Sequence, residues 1–139
     1  MKVKFFLFGF IAMFSSIIFA QGIDFQLAKV DSSSYKCELF FNVTNNSGLN
    51  ITFGNADISL REKDGSIIAK DRLLFQRIKK GQTEVATTLA GEKDCSIIKT
   101  IRLQLTAVRV DGELTTSDKV LSKLNDGKKS SRLTGVVVE

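Results

Sequence analysis

The stretch that decides the fold is residues 35–44, with the sequence YKCELFFNVT. Mostly polar side chains separate apolar ones at every second position, and the apolar set is Tyr35, Cys37, Leu39, Phe41 and Val43. A period of two residues places one face of a β-strand in a core and the other in water. The stretch Thr100–Val110 repeats this alternation, with an apolar set of Ile101, Leu103, Leu105 and Ala107. We therefore predict that these two stretches are the central strands of a β-sandwich.

Five further extended segments accompany these two, joined mostly by short polar turns. One begins near residue 23, and the others cover residues 49–62, 67–78, 83–89 and 113–121. The dipeptide Asp-Gly, at residues 64–65 and 111–112, is a strong hairpin signal between two such segments. The apolar parity changes near Gly54 and Asn55, which predicts a β-bulge or a sharp bend there. Over residues 73–78 the alternation is poor, which fits either a strand that crosses between sheets or a helical turn.

The fold class follows from this strand spacing. No segment shows the sustained apolar period of 3.6 residues that indicates a helix. Short strands with Cys37 in the second and Cys95 just before the sixth are typical of immunoglobulin-like and fibronectin type III-like sandwiches. We therefore predict an all-β fold, namely such a sandwich of about seven strands with one inter-strand disulfide.

The first 20 residues have the pattern of a secretory signal peptide. Lys2 and Lys4 precede an apolar run at residues 5–14, and Ala20 supplies a small residue at the expected cleavage site. The run is shorter than the roughly 20 apolar residues of a transmembrane helix, so a retained membrane anchor is the weaker alternative. We predict a periplasmic or secreted protein with no membrane attachment after cleavage, and a β-sandwich domain at residues 21–121.

Cys37 and Cys95 are the two cysteines of the chain. In an exported protein such a pair indicates a disulfide, and two separate buried thiols are the alternative. A redox centre is disfavoured, because the sequence has neither a Cys-x-x-Cys motif nor a histidine. We predict a structural bridge.

Residues 122–139 form a polar linker followed by a segment of β composition. The apolar side chains of that segment are Leu133, Val136, Val137 and Val138. A frayed terminus or an extra strand of the same domain would account for them. The more specific alternative is an arm that pairs with a sheet edge of another copy or of another protein. The four apolar residues of this segment are therefore the candidate edge-pairing residues.

The side chains show no pattern typical of an enzyme. Nucleophile–base pairs usually need a histidine, and the chain has none. Ser-x-x-Lys occurs at residues 33–36 and 96–99, where strand alternation explains the polar residues. The acidic pairs at the Asp-Gly turns are most simply solvated loop residues, since a calcium site needs a denser oxygen cluster. We predict no catalytic residue, no metal site and no cofactor.

The charge of the chain is mildly basic and mixed in sign. The net charge is +5, and loss of residues 1–20 would remove two lysines and no acids, which leaves +3. Lys and Arg are interspersed with Asp and Glu and form no basic stripe with interleaved aromatic residues. Nucleic acid is therefore not a predicted partner.

Several turns and strand positions resemble small exported bacterial fibronectin-like domains, and in particular the IrmA (interleukin receptor mimic) family. The matching runs are FNVTNNSG at residues 41–48, ADISL at 56–60, DG at 64–65, KGQT at 80–83 and DCS at 94–96. This resemblance implies a fibronectin type III-like sandwich, a disulfide that uses Cys37 and Cys95, a secreted or periplasmic location, and homodimers formed by strand exchange. It transfers no binding surface, because the chain carries no recognised binding motif.

The leading functional hypothesis is an exported, non-catalytic module that binds a protein of the host or of the bacterial envelope. Binding would use a sheet edge or the hairpin tips, as in other domains that add a strand from a partner. The alternative hypothesis is a periplasmic chaperone or assembly factor that shields β-rich clients at the same edge.

Overall fold

The computed structural model describes residues 22–139, and the predicted signal peptide at residues 1–20 lies outside this range. Its strands are β1 (Ile23–Asp31), β2 (Cys37–Asn45), β3 (Ile51–Arg61), β4 (Ile67–Ile78), β5 (Thr83–Ala90), β6 (Thr100–Val110), β7 (Glu113–Thr115), β8 (Lys129–Ser131) and β9 (Val137–Val138). A 3-10 turn at Cys95–Ile97 precedes β6, and helix α1 covers Asp118–Asn125. Within the described range, no helix has the length and apolar character needed to cross a membrane.

The strands form two sheets packed face to face. The first sheet has the order β5-β2-β1-β8, and the second has the order β4-β3-β6-β7 with β9 also paired to β6. Neighbouring strands are antiparallel, except that β8 runs parallel to β1 and β9 parallel to β6. The predicted all-β sandwich is confirmed. Strands β2 and β6 are inner strands, one in each sheet.

The core lies between the sheets and follows the alternation of β2. Its buried side chains from β2 and β6 are Cys37, Leu39, Phe41, Val43, Ile101, Leu103, Leu105 and Val108. Phe25 of β1 meets Phe75 of β4 edge to face across the two sheets, with ring centroids 5.8 Å apart. Full burial of one such side chain contributes about 1.5–3 kcal/mol to the free energy of unfolding.

Gly54 in β3 makes room for one of these rings. A Cβ atom at this position would lie 2.1 Å from Cζ of Phe75, so a larger residue cannot occupy it without moving the ring. One residue later the register between β3 and β6 shifts, between Asn55 and Ala56. The extra residue of this shift lies in β6, whereas the extra residue of β3 lies between Ile51 and Phe53, so the bulge predicted at Gly54 is about two residues earlier in the strand.

The C-terminal end of β6 departs from its predicted parity. Asn55 pairs with Ala107 whereas Ala56 pairs with Leu105, so one residue of β6 between them has no partner. An extra residue in a strand inverts the faces of the residues that follow it. Val108 is therefore buried and Ala107 is only half-buried, so the prediction that Ala107 continues the apolar face is wrong.

Strand β4 runs without a break over Ile67–Ile78, so residues 73–78 continue one strand and form no helical turn. The poor alternation has a local cause. Arg77 has a positive φ of 56°, and this residue changes the parity so that both Phe75 and Ile78 are buried.

The strand predicted for residues 113–121 is wrong beyond Thr115, where β7 ends and the chain turns into α1. Leu121 and Leu124 lie three residues apart and are both buried, as expected for one face of a helix. An aspartate in the first turn and a lysine in the last turn suit the helix dipole. The predicted boundary after residue 121 falls inside this helix.

Cys37 at the start of β2 and Cys95 in the 3-10 turn form a disulfide, with their Cα atoms 5.2 Å apart. Both residues are buried. The bridge ties the first sheet to the segment that leads into β6 of the second sheet. The predicted structural disulfide is confirmed, and such a bridge is typical of proteins in oxidising compartments outside the cytoplasm.

Candidate functional site

The outer edge of β6 is closed along its length. Strands β7 and β9 pair with its two ends. Between them, the Leu103 N–H donates to the Glu139 carbonyl oxygen at 2.8 Å. The Leu105 N–H donates to Asn125 Oδ1 at 2.8 Å, and Asn125 Nδ2 donates to the Leu105 carbonyl oxygen at 3.2 Å. The Asn125 amide therefore takes the place of one residue of a paired strand.

The neighbouring edge of β1 is covered by β8. The Phe25 N–H donates to the Lys128 carbonyl oxygen, and the Arg132 N–H donates to the Leu27 carbonyl oxygen, both at 2.9 Å. Gly127 permits this close approach, because a Cβ atom there would lie 2.0 Å from a backbone oxygen of β1. Residues 118–139 thus cover the edges of both sheets on one side of the sandwich, which we call the sealed side.

The candidate edge-pairing residues of the tail lie on this sealed side. Val137 and Val138 form β9, which pairs with the start of β6 in the same chain. Val138 is buried and Val137 is 57% exposed, while Leu133 and Val136 pack half-buried against the core. Pairing of these residues with another copy or another protein stays a prediction.

The opposite side presents the outer edges of β4 and β5, and we call it the open side. The charged residues of β4 are Lys70, Asp71, Arg72 and Arg77. The left-handed backbone of Arg77 also makes the strand irregular. Charges and irregularities of this kind protect an edge against pairing with another strand.

Strand β5 lacks this protection. Among its eight residues, Glu84 is the one that carries a charge. Val85, Thr87 and Leu89 alternate with buried Ala86 and Ala90 and so face away from the core, and Val85 is 62% exposed. An edge strand with few charges and an exposed apolar row is suited to pairing with another chain.

A groove of about 490 Å³ runs between the two edges of the open side. Leu74 of β4, which is 50% exposed, and Val85 of β5 both line it. Beside β5, Phe40 of β2 pairs with Thr87 on the outer face of the first sheet, and Lys29 Nζ lies 4.4 Å from its ring centroid. The β5 edge is therefore flanked by apolar side chains on both faces.

A polar depression of about 1260 Å³ covers the outer face of the second sheet. Strands β3, β4 and β6 form its floor and α1 forms one wall. Its charged residues on the strands are Asp57, Lys70, Asp71, Arg72 and Arg102. Arg102 is held by Glu139, with Nε and Oε1 2.8 Å apart. The two signs of charge are mixed across this surface, so it favours no single class of charged ligand.

The serines of both Ser-x-x-Lys stretches are engaged in turns. Ser96 donates to Asp94 Oδ1 through its hydroxyl at 2.7 Å and its N–H at 2.9 Å. These bonds, the hydroxyl bond first, hold the pKa of the Asp94 carboxyl below its usual value. Ser33 has the same effect on the pKa of Asp31, and the carboxyl pKa of Asp64 is lowered in a third turn of this kind. In residues 22–139 no group of three or more acidic or cysteine side chains is placed to hold a metal ion.

The sequence predicts a strand at residues 83–89 but indicates no special role for it. The signal is its low charge of one residue in eight, which among the other long strands β2 shares. That signal becomes informative only when the sheet order shows that β5 is an edge strand, which the sequence does not reveal.

The fold is similar to the solved structure of IrmA from Escherichia coli. The TM-score is 0.59 at 12% sequence identity, and the match covers 81% of this chain and 92% of that chain. At this identity the likeness shows the fold alone, and it confirms the IrmA-like sandwich predicted from the turn and strand residues. Comparisons with protein-family models and with curated proteins give no match.

Proposed function

We propose that this protein is a non-catalytic module that binds another protein through the β5 edge on the open side. The observation that carries the proposal is the difference between the two sides of the sandwich. Residues 118–139 cover both sheet edges on the sealed side, whereas β5 on the open side has no strand paired with its outer edge and lacks the charges that protect β4.

Strand addition would supply both affinity and selectivity at this edge. A partner strand gains main-chain hydrogen bonds to β5, and its alternate side chains contact the two faces of the sheet. On one face they would cover Val85 and Leu89, and on the other they would enter the groove beside Leu74. The exposed apolar area gives the association a hydrophobic contribution as well.

The chemistry of the chain supports binding more than catalysis. The sequence has no histidine, and the serines considered as nucleophiles donate hydrogen bonds to aspartates in turns. The disulfide supports a location in the periplasm or outside the cell. The partner we propose is accordingly a protein of the bacterial envelope or of a host.

The test is capture of proteins from envelope extracts and host-cell extracts by wild-type protein and two variants. Val85→Lys places a charge on the β5 edge, and Leu114→Lys makes the same change on β7, where the leucine is 56% exposed. We expect Val85→Lys to lose partners that wild type and Leu114→Lys retain. Equal capture by all three proteins would refute binding at this edge.

Shielding of β-rich clients is the second candidate function, favoured by the same edge of low charge. A shielding factor would slow the aggregation of a secreted client without forming a stable complex. Light scattering of a client during refolding, with wild type and with Val85→Lys, separates the two functions. No effect of wild type on any client would exclude shielding and leave stable binding as the function.

A further inference from the structure

We infer that the sealed side binds reversibly to a membrane surface that contains anionic phospholipids. This contact is independent of the partner proposed for the β5 edge. Charge is distributed unevenly along the described chain. Residues 22–118 carry 13 cationic and 13 acidic side chains, whereas residues 119–139 carry five cationic and two acidic ones. The net positive charge of the side chains therefore lies entirely in the segment that covers the sealed side.

The five cations of this segment make no ion pair with an acid of residues 22–139. They are Lys119, Lys123, Lys128, Lys129 and Arg132. The one ion pair in that range joins Arg102 of β6 to Glu139, so it also takes up one of the two acids of the segment. Lys129 is half-buried and its Nζ donates to the Asn125 carbonyl oxygen at 3.1 Å, whereas the other four cations are exposed. Unpaired cations that face water raise the electrostatic potential of the sealed side.

The exposed cations lie beside both sheets. Lys119 and Lys123 are four residues apart and so share one face of α1, which packs against β6 of the second sheet. Lys128 and Arg132 flank β8 at the edge of the first sheet, where their backbones bond to β1. The long side chains of Lys and Arg can turn toward a surface that lies against the sealed side. Such a surface would therefore meet cations from both layers of the sandwich.

Two exposed aliphatic side chains lie on the same side. Leu114 of β7 is 56% exposed and Val137 of β9 is 57% exposed. Their strands pair with the two ends of β6, and Asn125 of α1 bonds to β6 between them. Peripheral membrane contacts combine apolar side chains, which enter the headgroup region, with cations that attract anionic lipids. A single phosphate or a short acidic peptide would not cover aliphatic residues at opposite ends of β6, so a bilayer fits this surface best.

The contact is peripheral, and it departs from the sequence-based prediction of no membrane attachment after cleavage. That prediction considered an apolar anchor retained at residues 1–20, whereas the sealed side forms only in the folded domain. With the sealed side on a bilayer, the open side faces away from the lipid. The β5 edge then remains accessible to the protein partner proposed above.

Co-sedimentation of the exported protein with lipid vesicles tests the contact. Vesicles of equal parts phosphatidylglycerol and phosphatidylcholine supply the anionic surface, and vesicles of phosphatidylcholine alone are the neutral control. We expect binding to the anionic vesicles that weakens as salt is added, because dissolved ions screen the attraction. No binding to the anionic vesicles, or equal binding to both kinds, would overturn the inference.

Paired charge reversals locate the contact on the molecule. Lys119→Glu with Lys123→Glu should bind the anionic vesicles at least about tenfold more weakly than wild type. Lys79→Glu with Lys80→Glu is the matched control, since it makes the same change of net charge at the exposed turn between β4 and β5 and should retain most of the binding. Equal weakening by the two pairs would assign the binding to net charge and not to the sealed side, and so would overturn the inference.

Two further measurements exclude other causes. Lys128→Glu with Arg132→Glu changes the same side outside α1, so weaker binding by this pair cannot come from a damaged helix, and binding like wild type would contradict the inference. Immobilised polyglutamate replaces the bilayer by an acidic polypeptide. Retention on polyglutamate without binding to the anionic vesicles would indicate an acidic protein partner and would overturn the assignment to a membrane.

Discussion

Replacing Asn125 by alanine would open a gap in the closed edge of β6. The wild-type amide accepts a hydrogen bond from the Leu105 N–H at 2.8 Å and donates one to the Leu105 carbonyl oxygen at 3.2 Å. A hydrogen bond of this kind contributes about 0.5–1.5 kcal/mol net. Loss of two should therefore lower the free energy of unfolding by about 1–3 kcal/mol.

Two further variants separate this bridge from a general effect on helix α1. Asn125→Asp keeps an acceptor for the Leu105 N–H but places a second carboxylate oxygen against the Leu105 carbonyl oxygen. Ser122→Ala changes an exposed residue of the same helix and should alter the free energy of unfolding by less than about 0.5 kcal/mol. Urea denaturation measures the stability, and amide hydrogen exchange measures the protection of the Leu105 N–H.

The pattern of exchange distinguishes the outcomes. We expect the Leu105 N–H to lose protection in Asn125→Ala, to keep it in Asn125→Asp despite the lower stability, and to be unchanged in Ser122→Ala. If the Leu105 N–H keeps wild-type protection in Asn125→Ala, the amide bridge is not what closes this edge and the reasoning is refuted.

Three other perturbations give measurable outcomes. Replacing Cys37 and Cys95 by alanine should lower the free energy of unfolding by about 4 kcal/mol, because the bridge spans 58 residues of unfolded chain; urea denaturation beside reduced wild type checks this. Gly127→Ala should destabilise the fold and raise hydrogen exchange in β8, since its Cβ would lie 2.0 Å from a β1 carbonyl oxygen; normal exchange there would contradict this. The pKa of the Asp94 carboxyl is lowered in the folded protein, so the ionised group stabilises the fold. This contribution to the free energy of unfolding is complete above the unfolded pKa of about 3.9 and is lost as pH falls through the folded pKa. In Ser96→Ala the NMR titration of Asp94 should move to higher pH, and an unmoved titration would refute the hydroxyl bond as the main cause.

The sequence predicted those parts of the fold in which local patterns coincide with burial. Strand β2 is an inner strand with one buried face, so its period of two residues could be recognised in the sequence. The two Asp-Gly dipeptides predicted two hairpins. The bulge of β3 was predicted from a change of parity in the sequence, although it lies between Ile51 and Phe53 and not at Gly54. Helix α1 was missed because eight residues offer one pair of buried leucines, Leu121 and Leu124, too few to establish a helical period.

The candidate site could be predicted from the sequence less completely than the fold. Whether a strand is an edge strand depends on the order of strands in a sheet, and hydrophobic alternation carries no such information. The bridge from Asn125 to Leu105 joins residues 20 positions apart whose pairing depends on how α1 packs. The apolar tail can be recognised from its composition, whereas the low charge of the β5 edge becomes significant only once the order of the strands is known.

Strand β8 has a consequence for the time course of folding. It lies against β1, and the Lys128 N–H binds the Asp24 carboxylate across 104 residues of chain. A polypeptide that emerges amino-terminus first from a ribosome or a translocation pore cannot complete this contact until Lys128 has appeared. Until then the edge of β1 stays unpaired, and the nascent chain depends during that interval on whatever holds unfolded polypeptides in its compartment.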